Sequence, residues 1–211
     1  MDLLQLCQWR YATKKMDPTR VVPEDKLGRI LEAIRLAPTS SGLQPFEVLV
    51  ISNPALRARL RPVAKDQAQV VDCSHLLVFA AWDHYTPERI NGVFDQTIVD
   101  RGGSNEGWEN YRRMLLEKYP ARTPEENFQH AARQAYVALA FGVMAAANEG
   151  VDCTPMEGFD PAAVDAVLGL GDKGLKSVVM LPLGYRDADN DWLVKLAKSR
   201  RPKEALFSFI G

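Results

Sequence analysis

The segment from Thr123 to Gly150 most strongly constrains how this chain can fold. Thr123-Pro-Glu-Glu is typical of a capped helix start, and Gly150 suits the position just after a helix end. The small and apolar run between them, from Ala135 to Ala147, falls well short of the roughly 20 residues that cross a bilayer. We therefore predict one helix that reaches about Asn148 and is buried in the protein, where its small side chains allow close packing.

Apolar periodicity predicts the remaining elements. Helical spacing predicts helices at about 2–9, 22–37, 54–64 and 161–168, and residues 87–118 are consistent with one or two exposed helices interrupted by Gly102 and Gly103. Short runs rich in Val, Leu, Ile and Met predict strands at about 46–51, 76–82 and 176–183. Helices at both ends and in the middle, with a few separated strands, predict a single α+β domain over residues 1–211 with helices flanking one small sheet.

Composition argues against several kinds of partner. A formal charge of −1 lacks the basic character that nucleic-acid binding usually needs. Cys7, Cys73 and Cys153 are odd in number and widely spaced, which favours neither a disulfide framework nor a zinc site and fits a reducing compartment. The N-terminal residues match no export signal. We therefore expect a cytoplasmic protein that binds no nucleic acid, membrane or metal.

Basic side chains are concentrated at the two ends of the chain. Arg10 and Lys14 follow the first predicted helix, and the tail carries basic residues without an intervening acid at Lys195, Lys198, Arg200, Arg201 and Lys203. If the two ends converge they would suit a phosphate, because guanidinium groups bind its oxygens in bidentate fashion and ammonium groups add charge. Charge pattern alone fits a solvated basic tail equally well, and that is the commoner case.

Other suggestive residues have simpler interpretations. Gly169-Leu-Gly-Asp-Lys-Gly174 matches G-x-G-x-x-G, but it follows a predicted helix and precedes a strand, the reverse of a dinucleotide-binding turn. The three histidines lack metal-ligand spacing, and His75 at a strand start is expected to be a hydrogen-bonded core residue. Cys73 and Cys153 lie beside strands and are expected to be buried rather than reactive.

Five segments in a fixed order carry a resemblance that spans nearly the whole chain. They are Arg10-Tyr-Ala-Thr-Lys14, Ala37-Pro-Thr-Ser-Ser-Gly-Leu-Gln-Pro-Phe46, Asp72-Cys-Ser-His-Leu-Leu-Val-Phe79, Pro155-Met-Glu-Gly-Phe159 and Ala197-Lys-Ser-Arg200. No single segment would suffice, but together they resemble the ordered motifs of the nitroreductase family. The resemblance is closest to its dihydropteridine reductase and oxygen-insensitive NAD(P)H nitroreductase branch.

The resemblance implies an architecture and a cofactor. It implies a three-layer α+β fold with a small central mixed sheet flanked by helices, in an intertwined homodimer with two FMN sites at the subunit interface. Each site would be built by both chains. Pro38, Thr39 and Ser40 would reach the partner's FMN, and the C-terminal tail would cross to the partner's sheet.

The resemblance also assigns roles to residues of this chain. Arg10, Lys198 and Arg200 match positions that hold the FMN phosphate, and Lys14 matches one near the ribityl chain and flavin N1. The implied cofactor-binding set is Arg10, Tyr11, Ala12, Lys14, Pro38, Thr39, Ser40, Asp66, Gln69, Pro155, Met156, Glu157, Gly158, Lys198 and Arg200.

Two members of this set depart from the family's usual residues. Ala12 replaces a frequent Ser, which removes a possible hydroxyl donor to the phosphate, and Asp66 replaces an Asn. Asp66 and Gln69 match positions that face the pyrimidine edge of the flavin. The backbone N–H of Glu157 would donate to flavin N5, so that no catalytic side chain is required.

The activity implied is reduction of nitroaromatic, quinone or related small acceptors with NADH or NADPH as electron donor. Hydride would pass through flavin N5 in a ping-pong sequence, because one stacking face cannot hold donor and acceptor together. Two alternatives stay open: a flavoenzyme of the same fold with specialised chemistry, such as reductive dehalogenation or flavin fragmentation, and a non-catalytic flavin-binding dimer.

Overall fold

The computed structural model describes residues 1–211. Its helices are α1 (Leu3–Trp9), α2 (Glu24–Arg35), α3 (Pro54–Leu60), α4 (Gln69–Asp72), α5 (Pro87–Arg101), α6 (Glu106–Lys118), α7 (Pro124–Asn148), α8 (Pro161–Leu168) and α9 (Lys203–Leu206). Its strands are β1 (Phe46–Ile51), β2 (His75–Trp82), β3 (Asp152–Cys153) and β4 (Leu175–Gly184). None of the helices combines the length and the apolar character needed to cross a membrane.

The four strands form one sheet in the order β1-β2-β4-β3. All three strand pairs are antiparallel, with Phe46 opposite Ala81, His75 opposite Leu183, and Cys153 also opposite Leu183. The expected α+β class is confirmed, but the strands of one chain do not form the mixed sheet that was expected. Each strand runs opposite to its neighbour, and the one parallel pairing is an isolated bridge between Ala12 and Cys153, outside the strand pairs.

Side chains alternate across β2 and so divide the core into two layers. Leu77 and Phe79 pack with residues of α2 and α7 on one face of the sheet. Leu76 and Val78 pack with residues of α3, α4 and α8 on the other. Both faces of the central strand are therefore covered by helices, and β2 is apolar from Leu76 to Trp82.

The long helix α7 is the central helix that the sequence predicts. The side chain of Thr123 accepts from the backbone of Glu126, whose own side chain returns to Thr123, and the helix ends just before Gly150, which has a φ of +66°. At Gly142 an added Cβ would lie 2.9 Å from Cδ1 of Ile34, so glycine lets α2 approach α7 closely.

Three short elements were not predicted, one of them α9 in the tail. The segment between α3 and β2, for which no element was predicted, contains α4, and β3 has two residues, too few to display a strand periodicity. The predicted core residues are confirmed: His75 is buried and hydrogen-bonded to the Ser74 hydroxyl at 2.8 Å. Burial raises the pKa of the Cys73 thiol to about 11 and that of Cys153 to about 12, so both are protonated at neutral pH.

Candidate functional site

A cavity of about 440 Å³ lies between the N-terminal segment and the C-terminal segment of the chain. We call it the basic cleft, because four of its lining residues are Arg or Lys. Its lining consists of Gln8, Trp9, Arg10, Tyr11, Ala12, Arg186, Leu193, Val194, Leu196, Ala197, Lys198, Ser199 and Arg200. Five members of the predicted cofactor-binding set, Arg10, Tyr11, Ala12, Lys198 and Arg200, are therefore brought together here from opposite ends of the sequence.

The cations of the basic cleft are close enough to influence one another. Burial lowers the pKa of Lys198, and the positive charges of Arg10 and Arg200 lower it further. Nζ of Lys198 donates to the backbone carbonyls of Cys7 and Arg10, at the C-terminal end of α1. Lys198 thus stabilises the end of this helix and adds to the positive charge of the cleft.

Arg186 is a fourth cation of the cleft that the sequence analysis did not identify. Its guanidinium donates through Nε to Oδ1 of the buried Asp152 at 2.8 Å. The same group lies 4.4 Å from the ring centre of Trp9 and 4.6 Å from that of Tyr11. Because Arg186 follows β4 in a polar turn, no local sequence pattern distinguishes it from a surface arginine.

Asp191 lies behind the cleft and binds its N-terminal segment. Its Oδ2 accepts from the hydroxyl of Tyr11 at 2.9 Å and from the backbone N–H groups of Lys14 at 2.8 Å and Lys15 at 3.3 Å. Its Oδ1 accepts from the backbone N–H of Leu193 at 2.9 Å. Burial acts to raise the pKa of this carboxyl, but the hydrogen bonds outweigh it, so that the pKa of Asp191 is lowered.

The predicted segment Pro155 to Gly158 runs beside the edge of the sheet. Met156 is buried and pairs with Met180 through both backbone hydrogen bonds, whereas Pro155 and Glu157 are exposed. The backbone N–H of Glu157 has no hydrogen-bond partner within the chain, and its carboxylate accepts from the hydroxyl of Tyr136 at 2.5 Å. A free N–H group therefore lies at the position expected to face flavin N5.

Direct contacts join this segment to neighbouring parts of the predicted site. The Thr154 hydroxyl donates to the carbonyl of Thr13 at 2.5 Å, which ties the segment to the N-terminal loop. Nε2 of Gln67 donates to the carbonyl of Gly158 at 2.8 Å. An added Cβ on Gly158 would lie 2.8 Å from Nε2 of Gln67, so only glycine permits this contact without movement.

Asp66 and Gln69 flank Gln67 but differ in their surroundings. Asp66 is exposed and has a φ of +54°, in the left-handed region that a short polar side chain tolerates better than most. Gln69 begins α4 and is 8% exposed. Its amide makes no hydrogen bond within the chain and is not among the fully buried unpartnered groups, so it is free to bind a ligand or water.

The loop from Pro38 to Ser40 is not part of the basic cleft of its own chain. The backbone N–H of Ser40 donates to Oε1 of Gln134 at 2.8 Å, and the hydroxyl groups of Ser41 and Tyr119 are 2.9 Å apart. Ser41 has a φ of +61°. Contacts with α7 and with the residue after α6 thus hold the loop in one conformation, separate from the cleft.

Comparison with known proteins identifies the family. The model of the nitroreductase family matches residues 7–185. The major NAD(P)H-flavin oxidoreductase of Aliivibrio fischeri is 30% identical over 209 residues, covering 95% of each chain. The oxygen-insensitive NAD(P)H nitroreductase of Salmonella typhimurium is 28% identical over 217 residues, covering 97% of each chain. This chain belongs to the nitroreductase family, as its ordered motifs predict.

Solved structures agree in fold. A protein from Exiguobacterium sibiricum, described as a nitroreductase and solved in complex with FMN, has a TM-score of 0.84 at 19% identity, covering 100% of this chain and 98% of the other. A nitroreductase-like protein from Streptococcus mutans has a TM-score of 0.82 at 18% identity, covering 99% and 98%. The nitroreductase fold predicted from the motifs is confirmed.

Proposed function

We propose that this family member is an NAD(P)H-dependent flavin oxidoreductase whose basic cleft holds the phosphate of FMN. The observation that carries the proposal is the convergence of Arg10, Lys198 and Arg200 on one cavity. Three cations around a concave site suit a dianionic phosphate. Arg186 also lines the site, but its charge is paired with that of Asp152. The names of the relatives, a flavin oxidoreductase and a nitroreductase that use NAD(P)H, support the same assignment.

The rest of the chain fits the remainder of the cofactor. Lys14 follows Arg10 along the loop and would lie near the ribityl chain and flavin N1. The segment from Pro155 to Gly158 would run along the isoalloxazine, where the unpartnered N–H of Glu157 can donate to N5. Asp66 and Gln69 would face the pyrimidine edge, and the unpaired amide of Gln69 has hydrogen-bonding capacity for it.

We assign Pro38, Thr39 and Ser40 to the cofactor site of a second copy, so that the functional unit is a homodimer. Two features support this arrangement. Helix α7 exposes an apolar stripe formed by Tyr136, Val137 and Phe141, and the tail exposes Phe209 and Ile210 almost completely, at 98% and 96%. Surfaces of this kind are costly to leave in water and are usually covered by a partner.

The partner's tail has a matching place to bind. Strand β1 is an edge strand whose outer side has no neighbour. Beside it lies an apolar groove of about 460 Å³ with Leu31, Ile34, Phe46, Val48 and Trp82 in its lining. An extended apolar tail can pair with such an edge while its side chains fill the groove.

Bound FMN would supply a hydride acceptor at N5 for NADH or NADPH and a source of electrons for a nitroaromatic, quinone or related small acceptor. The protein's residues supply binding and placement: the cations hold the phosphate, and the Glu157 N–H fixes and polarises the N5 end. No side chain of the site needs to exchange a proton during hydride transfer. The free thiols of all three cysteines suit the cytoplasm as the compartment.

Steady-state kinetics under anaerobic conditions test this function. The purified protein, loaded with FMN, should lose its yellow colour when NADPH or NADH is added and regain it with a quinone such as menadione. Double-reciprocal plots at several acceptor concentrations should give parallel lines, since donor and acceptor share one face. Protein that binds no FMN, or that keeps its colour with both donors, contradicts the proposal.

A further inference from the structure

Asp191 connects the two halves of the basic cleft. Its Oδ2 receives the three hydrogen bonds from the N-terminal loop, and its Oδ1 receives the N–H of Leu193, in the segment that leads to Lys198 and Arg200. Asp191 is 3% exposed, so its carboxylate has almost no contact with water. The four protein donors supply the hydrogen bonds that water would give to an exposed carboxylate. One side chain thus joins loops that lie some 180 residues apart in sequence.

This connection opposes a repulsion within the cleft. Arg10 and Arg200 both lower the pKa of Lys198, which means that the cations of the two segments disfavour one another's charge. Nothing in the local sequence keeps the loop that bears Arg10 against the segment that bears Arg200. The hydrogen bonds of Asp191 and the bonds from Lys198 to the carbonyls of Cys7 and Arg10 are among the contacts that do so. Others are the rings of Trp9 and Tyr11 against Arg186 and the backbone bond from Asp187 to Lys15.

We propose that Asp191 is a positioning residue for phosphate binding, which keeps Arg10 and Arg200 on one cavity so that they can bind one phosphate together. The inference rests on the proposed assignment of the basic cleft to the FMN phosphate. Asp191 does not line the cleft and touches no ligand itself. Its effect should therefore be larger for a flavin that carries a phosphate than for one that lacks it.

Riboflavin and FMN separate this role from a general effect on folding, because they differ only in the phosphate. The dissociation constants of both flavins are measured by quenching of flavin fluorescence with apoprotein of the wild type and of Asp191→Asn. In Asp191→Asn one of the two accepting oxygens becomes an NH₂ group. Whichever way the amide is turned, this group faces at least one backbone N–H, so hydrogen bonds are lost. Asp189→Asn removes the same charge from an exposed residue of the same turn and serves as the matched control.

We expect wild type and Asp189→Asn to prefer FMN over riboflavin by the same factor, and Asp191→Asn to lose on the order of tenfold of that preference. The riboflavin constant should change less than the FMN constant, because Asp191 also binds the backbone of Lys14, which is assigned to the ribityl chain. If Asp191→Asn weakens both flavins equally, the residue supports the fold alone and the positioning role is wrong. If wild type binds riboflavin as tightly as FMN, the phosphate does not bind in the cleft. That result contradicts the proposed phosphate site itself, whatever the role of Asp191.

Asp191→Asn could unfold, which circular dichroism would reveal. Tyr11→Phe then decides the matter, because it removes one donor to Oδ2 and keeps the ring that lies against Arg186. A smaller but clear fall in the preference for FMN is expected of this variant. An unchanged preference in folded Tyr11→Phe, with Asp191→Asn unfolded, overturns the proposal.

Discussion

The guanidinium of Arg186 and the carboxylate of Asp152 form a buried pair in which both oxygens are used. Nε of Arg186 donates to Oδ1 at 2.8 Å, and the backbone N–H of the same residue donates to Oδ2 at 2.8 Å. The side chain of Asp152 is 5% exposed and that of Arg186 is 21% exposed. The pair fixes β3 to the turn after β4, directly beside the basic cleft.

Asp152→Ala should therefore lower the free energy of unfolding by about 3 kcal/mol, because it leaves a largely buried guanidinium without its partner. Urea denaturation of the apoprotein measures the change. Glu32→Ala, which breaks the exposed ion pair of Glu32 with Arg35, should leave the midpoint unchanged. Equal effects of the two variants would mean that the pair with Asp152 contributes no more than a surface contact.

Arg200→Ala should weaken FMN binding by roughly 10- to 100-fold, the loss expected for one charge-assisted contact to a phosphate. Arg201→Ala is the matched control, since it removes the same charge from the neighbouring residue, whose guanidinium donates to the carbonyl of Ala205. Equilibrium dialysis against FMN gives both constants. Full FMN retention by Arg200→Ala would place the phosphate elsewhere.

Deletion of the residues after Lys203 should weaken the dimer and FMN binding together, because the exposed apolar tail is expected to cover the partner's edge strand β1. Analytical ultracentrifugation and flavin content report the two effects. A full-length variant with Phe209→Ser and Ile210→Ser should show the same defect in milder form. A truncated protein that stays a dimer with full FMN occupancy would contradict tail exchange.

Stability should fall as the pH decreases below about 6.5, the ordinary pKa of histidine. Burial lowers the pKa values of His75 and His130, so that the unfolded chain binds more protons than the folded one below this pH. The contribution of both residues is thus complete above pH 6.5 and is lost as the pH falls toward their lowered pKa values. Urea unfolding between pH 5 and pH 8 should show this decline.

His130→Gln should reduce that decline, since it removes one of the two groups; Oε1 of the glutamine can still accept from the Tyr85 hydroxyl, which lies 2.7 Å from Nδ1 of His130. His84→Gln is the control, because His84 is exposed. The same slope in wild type and His130→Gln would exclude His130 as a source of the pH dependence.

Many of the proposed site residues can be predicted from the sequence, because they lie within short motifs that resemble those of the family. The cations at Arg10, Lys198 and Arg200 are recognised by their motifs, and the structure brings them to one cavity. Arg186, Asp152 and Asp191 are not recognised in this way. Their role depends on hydrogen-bond partners in distant segments, and no residue spacing within their own segments predicts those partners.

The sequence alone determined where most helices and strands begin and end, because capping and apolar periodicity act between residues within about four positions of one another. It predicted α7 from Thr123 to Asn148 for this reason. Only the tertiary structure decided the direction of the strand pairs, the place of the two-residue strand β3, and the convergence of Asp191 on the loop of Tyr11. These features depend on which distant segments pack together, and that follows from burial of the whole core.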